Sequence, residues 1–269
     1  MQHKIAFIGT GVMAAAILKG ACRTTDPGNF ILTDALPEKA ETLAAELGCR
    51  TAASNREAAE EADIIFLCVK PQTAAPVLAE IAPVLQSTQK LLCSILAGVT
   101  IDTIRIRLGA QAHPVIRIMP NTPALIGKGL MLLACDNHVS DTAKAETLAL
   151  LTPCGETMWL AEHFFDQGTA LSGSSPAFVY LFIDALADAG TAAGLPRDQA
   201  VKLAACAAYG AAAMVLETDE TPQALANMVC SPGGSTLAGV AALEACGFHD
   251  TLGKAVEATC ARSRELGAL

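Results

Sequence analysis

Short apolar segments alternate with amphipathic segments along the first 160 residues or so. Runs of β-branched and apolar residues predict strands at Lys4–Ile8, Phe30–Thr33, Asp63–Val69, Lys90–Leu96 and Pro114–Ile118. Between them, Ala, Leu and Glu recur at helical spacing and predict helices at Gly11–Cys22, Pro37–Leu47, Thr73–Leu85 and Ile101–Leu108. Two further strand-like runs, Leu130–Ala134 and Thr157–Leu160, could extend the sheet. This alternation predicts βαβ units around a parallel sheet.

The strand pattern ends after Leu160, and long Ala-rich segments with helical periodicity follow. They predict helices at Pro176–Ala193, Pro196–Leu216, Pro222–Val229, Ser235–Ala245 and Phe248–Leu266. We therefore expect an α/β chain of two domains, residues 1–160 around a parallel sheet and residues 161–269 as an all-α helical domain. A bundle so rich in Ala and Gly commonly buries part of its apolar surface against a second copy, so a homodimer is expected.

Composition narrows the possible partners and the compartment. Hydrophobic residues make up 52% of the 269 positions and charged residues 17%, yet no uninterrupted apolar run reaches the roughly 18 residues of a membrane span. A net charge of −9 with scattered Lys and Arg argues against nucleic acid and anionic membranes as partners. Ten cysteines without a C-x-x-C pair indicate reduced thiols, and the amino terminus lacks a signal-peptide pattern. The expected location is the cytoplasm.

A glycine-rich turn follows the first predicted strand. Gly9, Gly11 and Ala14 form a G-x-G-x-x-A pattern directly before the first predicted helix. Gly9 permits the tight turn, Gly11 lets a pyrophosphate approach the backbone, and Ala14 allows close packing of helix and strand. The amino terminus of the helix supplies N–H groups and a favourable dipole for phosphates. A turn that binds no ligand fits this strand–turn–helix context less well, so a Rossmann dinucleotide-binding domain is predicted.

Polar residues at later strand ends extend the predicted cofactor site. Asp34 follows the second strand, where a carboxylate can accept hydrogen bonds from the adenosine ribose and would repel a 2′-phosphate. Asp34 therefore favours NADH, while an exposed turn or helix-capping role is an equal alternative. Asn55, Lys70 and Pro71 belong to loops at the carboxyl edge of the sheet, where open parallel sheets bind ligands. For Lys70 and Pro71 a plain strand terminus is equally compatible with the spacing.

A second glycine-containing loop joins two predicted helices of the second half. Gly233 and Gly234 precede Ser235 and Thr236, which begin the next helix. Backbone N–H groups in this arrangement form a nest suited to a carboxylate, and the Thr236 hydroxyl can donate or accept one hydrogen bond. An ordinary helix–helix connection is an equal alternative.

Two other kinds of catalytic site find little support. The segment Gly173-Ser174-Ser175-Pro176-Ala177 lacks the second glycine of G-x-S-x-G and follows no obvious strand, which indicates packing or capping rather than a nucleophilic serine. The five histidines are isolated, with none spaced as metal ligands on a helix face, so no metal site is predicted.

Both glycine-containing loops lie in segments that resemble the pyrroline-5-carboxylate reductase family, which closes proline biosynthesis. The most specific match is Cys230–Gly239 followed by Leu243-Glu244. Supporting matches are Val69–Gln72, Ala97–Val99, Arg117–Pro123 and Gly173–Phe178. Two positions depart from the family pattern: Ser175, where Gly is frequent, and Asp34, where many NADPH-preferring members carry Ser, Asn or Arg.

The resemblance implies the site residues and the assembly. It implies that NADPH or NADH is bound by Ile8, Gly9, Thr10, Gly11, Val12, Met13, Asn55, Val69, Lys70, Pro71, Ala97, Gly98 and Asn121. It implies that the substrate is held by Glu162, Ser174, Gly233, Gly234, Ser235 and Thr236. It also implies that the helical domain forms homodimers that can assemble into decamers.

The implied reaction is hydride transfer to C5 of a cyclic imine, giving L-proline. A protonated imine is already a good acceptor, so the hypothesis requires neither a metal nor a covalent nucleophile. Thr236 is the expected catalytic hydroxyl, hydrogen-bonded to the ring nitrogen. Two alternatives remain: a β-hydroxyacid dehydrogenase using Lys202 as its helical lysine, and a non-catalytic NAD(P) sensor that binds cofactor without oxidising it.

Overall fold

The first part of the chain forms an eight-stranded sheet, and a computed structural model describes residues 3–267. The strands are β1 (Ile5–Ile8), β2 (Phe30–Thr33), β3 (Arg50–Thr51), β4 (Ile64–Leu67), β5 (Leu91–Ser94), β6 (Val115–Met119), β7 (Gly129–Ala134) and β8 (Gly155–Trp159). Their order is β3-β2-β1-β4-β5-β6-β7-β8. The chain therefore reverses direction across the sheet between β1 and β4, and the carboxyl ends of these two strands border a topological switch point.

Seven pairs of neighbouring strands build the sheet, and all are parallel except β6 with β7. The antiparallel pair departs from the purely parallel pattern expected from the sequence. A single 3₁₀ turn, Thr122–Ile126, joins these two strands, and so short a connection cannot return the chain for parallel pairing. The predicted Rossmann sheet is otherwise confirmed, including its extension by β7 and β8.

Helices cover both faces of the sheet. They are α1 (Val12–Ala21), α2 (Pro37–Leu47), α3 (Asn55–Glu61), α4 (Ala74–Gln86), α5 (Ile101–Leu108), α6 (Asp141–Leu151) and the short α7 (Phe165–Gly168). Alternate β1 residues point to opposite faces: Ile5 and Phe7 pack in the core shared with α1, α2 and α6, whereas Ala6 and Ile8 pack with α3, α4 and α5. Burial on both faces explains why β1 is apolar throughout.

Besides the short α7, two helices were not predicted from the sequence, although each carries a polar cap. The Ser54 hydroxyl accepts a hydrogen bond from Glu57 N at 3.1 Å and caps α3, and the Glu57 carboxylate accepts from Ala53 N at 2.7 Å. The Ser140 hydroxyl accepts from Ala143 N at 3.2 Å and begins α6. These caps were the available sequence signals. The two-residue β3 is too short to show a period.

The chain divides into two compact units, which we call the sheet unit and the helical unit. The sheet unit contains residues 3–174 and 259–267, and the helical unit is Ser175–Ala258. The predicted domain boundary at residue 160 stays a prediction. Residues 161–174 belong to the sheet unit because Phe165 packs on Met119 and Leu132. The end of the chain returns to the sheet unit, where the Ser263 hydroxyl donates to Asp166 at 2.6 Å.

Five helices follow the sheet: α8 (Ser175–Ala192), α9 (Arg197–Glu217), α10 (Pro222–Val229), α11 (Ser235–Ala245) and α12 (Phe248–Gly267), which continues into the sheet unit. The predicted all-α second half is confirmed. Helices α8 and α9 pack through buried small residues, Ala187 against Ala200 and Ala204. Many large apolar side chains of these two helices are exposed in the single chain, among them Tyr180, Leu181, Leu203, Tyr209 and Leu216.

Within the described residues, two helical segments are long and apolar enough to cross a membrane by length and composition alone, Glu162–Ala192 and Arg197–Glu217. The expectation from the sequence concerned uninterrupted apolar runs, none of which reaches membrane length. Asp184 and Asp188 interrupt the first segment and Lys202 interrupts the second. Length and composition of one or two such helices are weak evidence for a membrane span.

Candidate active site

The glycine-rich turn lies at the switch point between β1 and β4. Gly9 has φ +96°, a conformation that L side chains rarely adopt. Its N–H donates to the Thr33 carbonyl at the end of β2 at 2.8 Å, and a Cβ built on it would lie 2.7 Å from the Cys68 carbonyl oxygen. The turn is therefore held between two strand ends at a distance that only glycine permits.

Gly11 serves a different purpose at the start of α1. It is exposed and has φ −66°. A Cβ built on Gly11 would have no other group of the described residues within 4 Å. The first turn of α1 has no side-chain cap, so its N–H groups face open space. Ala14 is buried against the sheet. The residues present fit the pyrophosphate of a dinucleotide, which would lie against Gly11 and the helix amino terminus.

The remaining residues of the predicted turn contribute unequally. Ile8 points into the core and could reach a cofactor only through its backbone. Val12 is exposed, and Met13 is half-buried against the core. Backbone groups rather than side chains would therefore make the cofactor contacts here.

Asp34 stands at the tip of β2, where the sequence placed it, and its carboxylate binds the glycine-rich turn. One oxygen accepts from Thr10 N at 2.8 Å and from the Thr10 hydroxyl at 2.9 Å, and the other accepts from Leu36 N at 3.1 Å. Partial burial raises the pKa of Asp34, but these hydrogen bonds, with the charge of Lys39, outweigh burial and lower the pKa overall. The carboxylate is ionised at neutral pH.

Asn55 connects β2 to the helices beside it. The Thr33 hydroxyl donates to its side-chain oxygen at 2.8 Å, and its amide nitrogen donates to Glu80 at 2.7 Å. The other Glu80 oxygen accepts from Arg56 N at 3.2 Å. This network was not visible in the sequence, because Thr33, Asn55 and Glu80 are far apart along the chain.

Loops after β4 and β5 lie on the same edge of the sheet. Lys70 is exposed at the start of a 3₁₀ turn, Pro71–Thr73, directly after Val69. Ala97 is half-buried beside buried Gly98, which has φ +76°. The structure therefore brings the predicted cofactor residues of β1, β2, β4 and β5 to one carboxyl edge, as parallel pairing requires.

Asn121, also predicted near the cofactor, is buried and binds the protein itself. Its amide nitrogen donates to the Ser172 carbonyl at 3.0 Å, and its side-chain oxygen accepts from Leu130 N at 2.9 Å. Ser172 belongs to a π-helical segment, Thr169–Ser174, that ends at the predicted substrate residue Ser174. No strand precedes this segment directly, so a nucleophile elbow is absent from the described chain there.

An ion pair with the buried Arg117 holds the partly exposed Glu162, which the resemblance placed near the substrate. One Glu162 oxygen accepts from Ile101 N at 2.8 Å and from the Arg117 guanidinium at 3.2 Å. Arg117 is almost fully buried, and its guanidinium carbon lies 4.5 Å from the centre of the Phe165 ring. Burial lowers the pKa of Arg117, and Glu162 opposes that shift. From the sequence, Arg117 was visible only as part of a motif, since its partner lies 45 residues away.

The second glycine-containing loop belongs to the helical unit. Gly233 has φ +73°, and Gly234 N donates to the Ser231 carbonyl at 2.9 Å, which closes the turn before α11. Gly234 caps α11 without a side-chain hydrogen bond, and Ser235 and Thr236 are exposed on the first turn. The loop thus presents backbone N–H groups and one threonine hydroxyl, a set that can bind a carboxylate beside a polar ring atom.

Comparison with known proteins finds one family for each part of the chain. The family described as pyrroline-5-carboxylate reductase dimerisation matches residues 162–266, and the family described as NADP oxidoreductase, coenzyme F420-dependent, matches residues 4–98. Among solved structures, a pyrroline-5-carboxylate reductase from Coxiella burnetii superposes with a TM-score of 0.91 at 32% identity, covering 99% of both chains. The NADP-bound enzyme from Plasmodium falciparum gives 0.87 at 33% identity, covering 99% of this chain and 98% of its own.

Full-length sequence similarity completes the assignment. The pyrroline-5-carboxylate reductase of Escherichia coli (strain K12) is 41% identical over 268 residues, which is 99% of each chain. Identity at this level extends over both the sheet unit and the helical unit, and so over both glycine-containing loops. The chain belongs to the pyrroline-5-carboxylate reductase family.

Proposed function

We propose that this chain reduces 1-pyrroline-5-carboxylate to L-proline with NADH or NADPH. One observation carries the proposal: this member of the family has two helix amino termini without a side-chain cap. Gly11 precedes the first, that of α1, and Gly233-Gly234 precede the second, that of α11. The first suits a dinucleotide and the second suits a carboxylate. Together they supply the two binding functions that an imine reductase for a small amino acid needs.

The sheet unit would bind the cofactor. The N–H groups of Gly11, Val12 and Met13 would bind the pyrophosphate, and Asp34 would bind the adenosine ribose. The loops at Asn55, Val69–Pro71, Ala97-Gly98 and Asn121 would line the rest of the dinucleotide site. When bound, the reduced nicotinamide supplies a hydride to C5 of the substrate.

The helical unit would hold the substrate. The N–H groups of the Gly233–Thr236 loop would bind its carboxylate, while the Thr236 hydroxyl would hydrogen-bond its ring nitrogen. As the new C5–H bond forms, the π electrons of the C=N bond pass to nitrogen, whose charge falls. A fixed hydroxyl at that atom keeps the ring oriented through the change, which is where we expect most of the rate acceleration. Glu162 and Ser174 are proposed as further residues of the substrate site.

The exposed apolar side chains of α8 and α9 support a homodimer formed through the helical unit. Tyr180, Leu181, Leu203 and Tyr209 are each more than half exposed in the single chain, which is costly for side chains of this size. We propose that a second copy covers them, that dimers can assemble into a decamer, and that the enzyme works in the cytoplasm. Light scattering across a dilution series measures the mass. A monomer at all concentrations would refute the dimer.

The test of activity is the loss of reduced-nicotinamide absorbance when purified protein receives 1-pyrroline-5-carboxylate, followed for wild type and Thr236→Val. Valine preserves the shape of threonine and removes the hydroxyl alone. We expect kcat to fall about 10-fold to 1,000-fold, the usual range for losing one polar contact at the reacting atoms. Thr251→Val, at an exposed threonine of α12, is the matched control and should leave kcat unchanged.

The alternatives give different results in this assay. A sensor would bind cofactor and never oxidise it, so absent turnover with wild type would contradict the proposal. A β-hydroxyacid dehydrogenase would depend on Lys202, which is exposed on α9, and would lose activity on Lys202→Met. Family membership does not support that second alternative, and we expect Lys202→Met to retain activity on the imine.

A further inference from the structure

We propose that this enzyme selects NADH over NADPH, and that the Asp34 carboxylate sets the preference. Asp34 would repel the 2′-phosphate of NADPH. The inference rests on the proposed cofactor site and concerns the ribose end of that site. The hydrogen bonds that fix Asp34 at the tip of β2 carry the argument.

Asp34 is fixed in position before any cofactor binds. A carboxylate offers about four acceptor sites, and the Asp34 carboxylate uses three of them for Thr10 N, the Thr10 hydroxyl and Leu36 N. One site remains to accept a hydrogen bond from a ribose hydroxyl. The turn that would bind the pyrophosphate is thus tied to the group that would meet the ribose, so the carboxylate cannot easily swing aside for a phosphate.

The charge of Asp34 decides between the two cofactors. Its hydrogen bonds keep the pKa below the ordinary aspartate value, so the group is ionised throughout the neutral range. A phosphate monoester carries a charge of about −1.5 to −2 at pH 7. Two such charges within a few ångströms at a partly exposed site repel each other enough to weaken binding about 10-fold to 100-fold. The ribose hydroxyl of NADH suffers no such repulsion.

The carboxylate of Glu80 is linked to the same strand end. The Thr33 hydroxyl donates to Asn55 at 2.8 Å, and the Asn55 amide donates to Glu80 at 2.7 Å. Glu80 therefore adds negative charge beside Asn55, near the end of β2.

Arg56 is paired elsewhere. Arg56 Nε donates to Glu60 at 2.8 Å, an i,i+4 pair on one helix face, and both side chains line a surface pocket with Ser87 and Lys90. Lys39 is the cation whose charge acts on Asp34, and it lowers the Asp34 pKa rather than neutralising the group.

The test measures the dissociation constants of NADH and NADPH by nicotinamide fluorescence, without substrate. Wild type should bind NADH at least about tenfold more tightly than NADPH. Asp34→Asn keeps the side-chain shape and should shift the ratio toward NADPH by about tenfold or more.

Matched variants separate charge at this site from general effects. Glu46→Gln removes another exposed carboxylate, which lies on α2 and pairs with Lys19 of α1. This variant should leave the ratio of the two dissociation constants unchanged. Asp34→Ser is the second variant at the key position, because its hydroxyl can still accept a hydrogen bond from Thr10 if the amide of asparagine disturbs the turn. Both Asp34 variants should shift the ratio in the same direction.

Two results would overturn the inference alone: wild type binding NADPH as tightly as NADH, or both Asp34 variants leaving the ratio unchanged while the dinucleotides still bind. Binding of neither dinucleotide to wild type would overturn the proposed function as well. The ratio of kcat/KM values for the two cofactors, measured with 1-pyrroline-5-carboxylate, should follow the ratio of the binding constants.

Discussion

Gly9 and Gly11 stand two residues apart in the glycine-rich turn, and substitution by alanine should affect a different property at each position. Gly9→Ala should destabilise the fold. Gly11→Ala should leave the fold intact and weaken cofactor binding. The difference follows from the surroundings: a Cβ on Gly9 meets the Cys68 carbonyl oxygen at 2.7 Å, whereas a Cβ on Gly11 meets nothing within 4 Å among the described residues.

The expected magnitudes come from these surroundings. At Gly9, a positive φ costs an alanine roughly 1–2 kcal/mol, and overlap with rigid backbone adds about 1–3 kcal/mol. The apparent Tm should fall by roughly 5–15 °C. At Gly11 the backbone is already extended, so only the smaller capping preference of alanine remains, about 1 kcal/mol or less. The new methyl group would occupy the approach of the pyrophosphate, and we expect Kd for NADH to rise about tenfold or more.

Thermal unfolding with and without cofactor measures both effects at once. At a hundred times the wild-type Kd, NADH should stabilise wild type by about 2.7 kcal/mol, and a tenfold weaker site by about 1.4 kcal/mol. Gly11→Ala should therefore melt like wild type alone and show a smaller cofactor shift. If Gly11→Ala binds NADH as tightly as wild type, the assignment of this turn to the pyrophosphate is wrong. If Gly9→Ala melts at the wild-type temperature, the steric argument fails.

Three further predictions concern ionisable groups of the sheet unit. Burial lowers the pKa of His113 to about 4, so the unfolding free energy should fall by at most about 3 kcal/mol between pH 6.5 and pH 4. In urea titrations, His113→Gln should show a smaller fall over the same pH range. Glu162→Gln should lower the unfolding free energy by about 3 kcal/mol, because the almost fully buried Arg117 is then left without its carboxylate. The double variant with Arg117→Met should lose less. The Arg105 hydrogen bond lowers the pKa of Asp136 to about 2. The difference in unfolding free energy between wild type and Asp136→Asn should therefore have its full size above pH 4 and disappear toward pH 2.

Each of the three has an outcome that would contradict it. A wild-type stability that is flat from pH 6.5 to 4 would show that His113 is not buried as neutral imidazole. Equal stability of wild type and Glu162→Gln in urea would show that the ion pair with Arg117 contributes nothing to the fold. A constant gap between wild type and Asp136→Asn down to pH 2 would rule out the ion pair with Arg105 as its cause.

The first half of the sheet could be predicted from the sequence because its strands are buried on both faces. Such strands read as continuous apolar runs, and β1, β2, β4, β5 and β6 were all found within two residues of their ends. The glycine-rich turn was equally visible, since its chemistry depends on residue types at fixed local spacing. Helices α3 and α6 were missed because their apolar faces are small, although Ser54 and Ser140 cap them.

The roles of the polar site residues could not be predicted in the same way. The amide of Asn121 holds Ser172 and Leu130, and Glu162 holds Ile101 N and Arg117. These partners are between 9 and 61 residues away along the chain, and no local pattern encodes such a pairing. Resemblance to a family gave these positions a place in the site, and the structure gave the contacts that fix them.

By itself, the sequence determined what depends on local spacing: the strands, the long helices and the glycines that open two helix ends. Only the tertiary structure decided which carboxylates remain available to a ligand and where the chain end returns to the sheet. It also decided the hydrogen bonds that hold Asp34 in place and keep it ionised. The physical reason is that periodicity and turn chemistry act over a few residues. Hydrogen bonds and ion pairs between distant segments exist only once the hydrophobic core has brought those segments together.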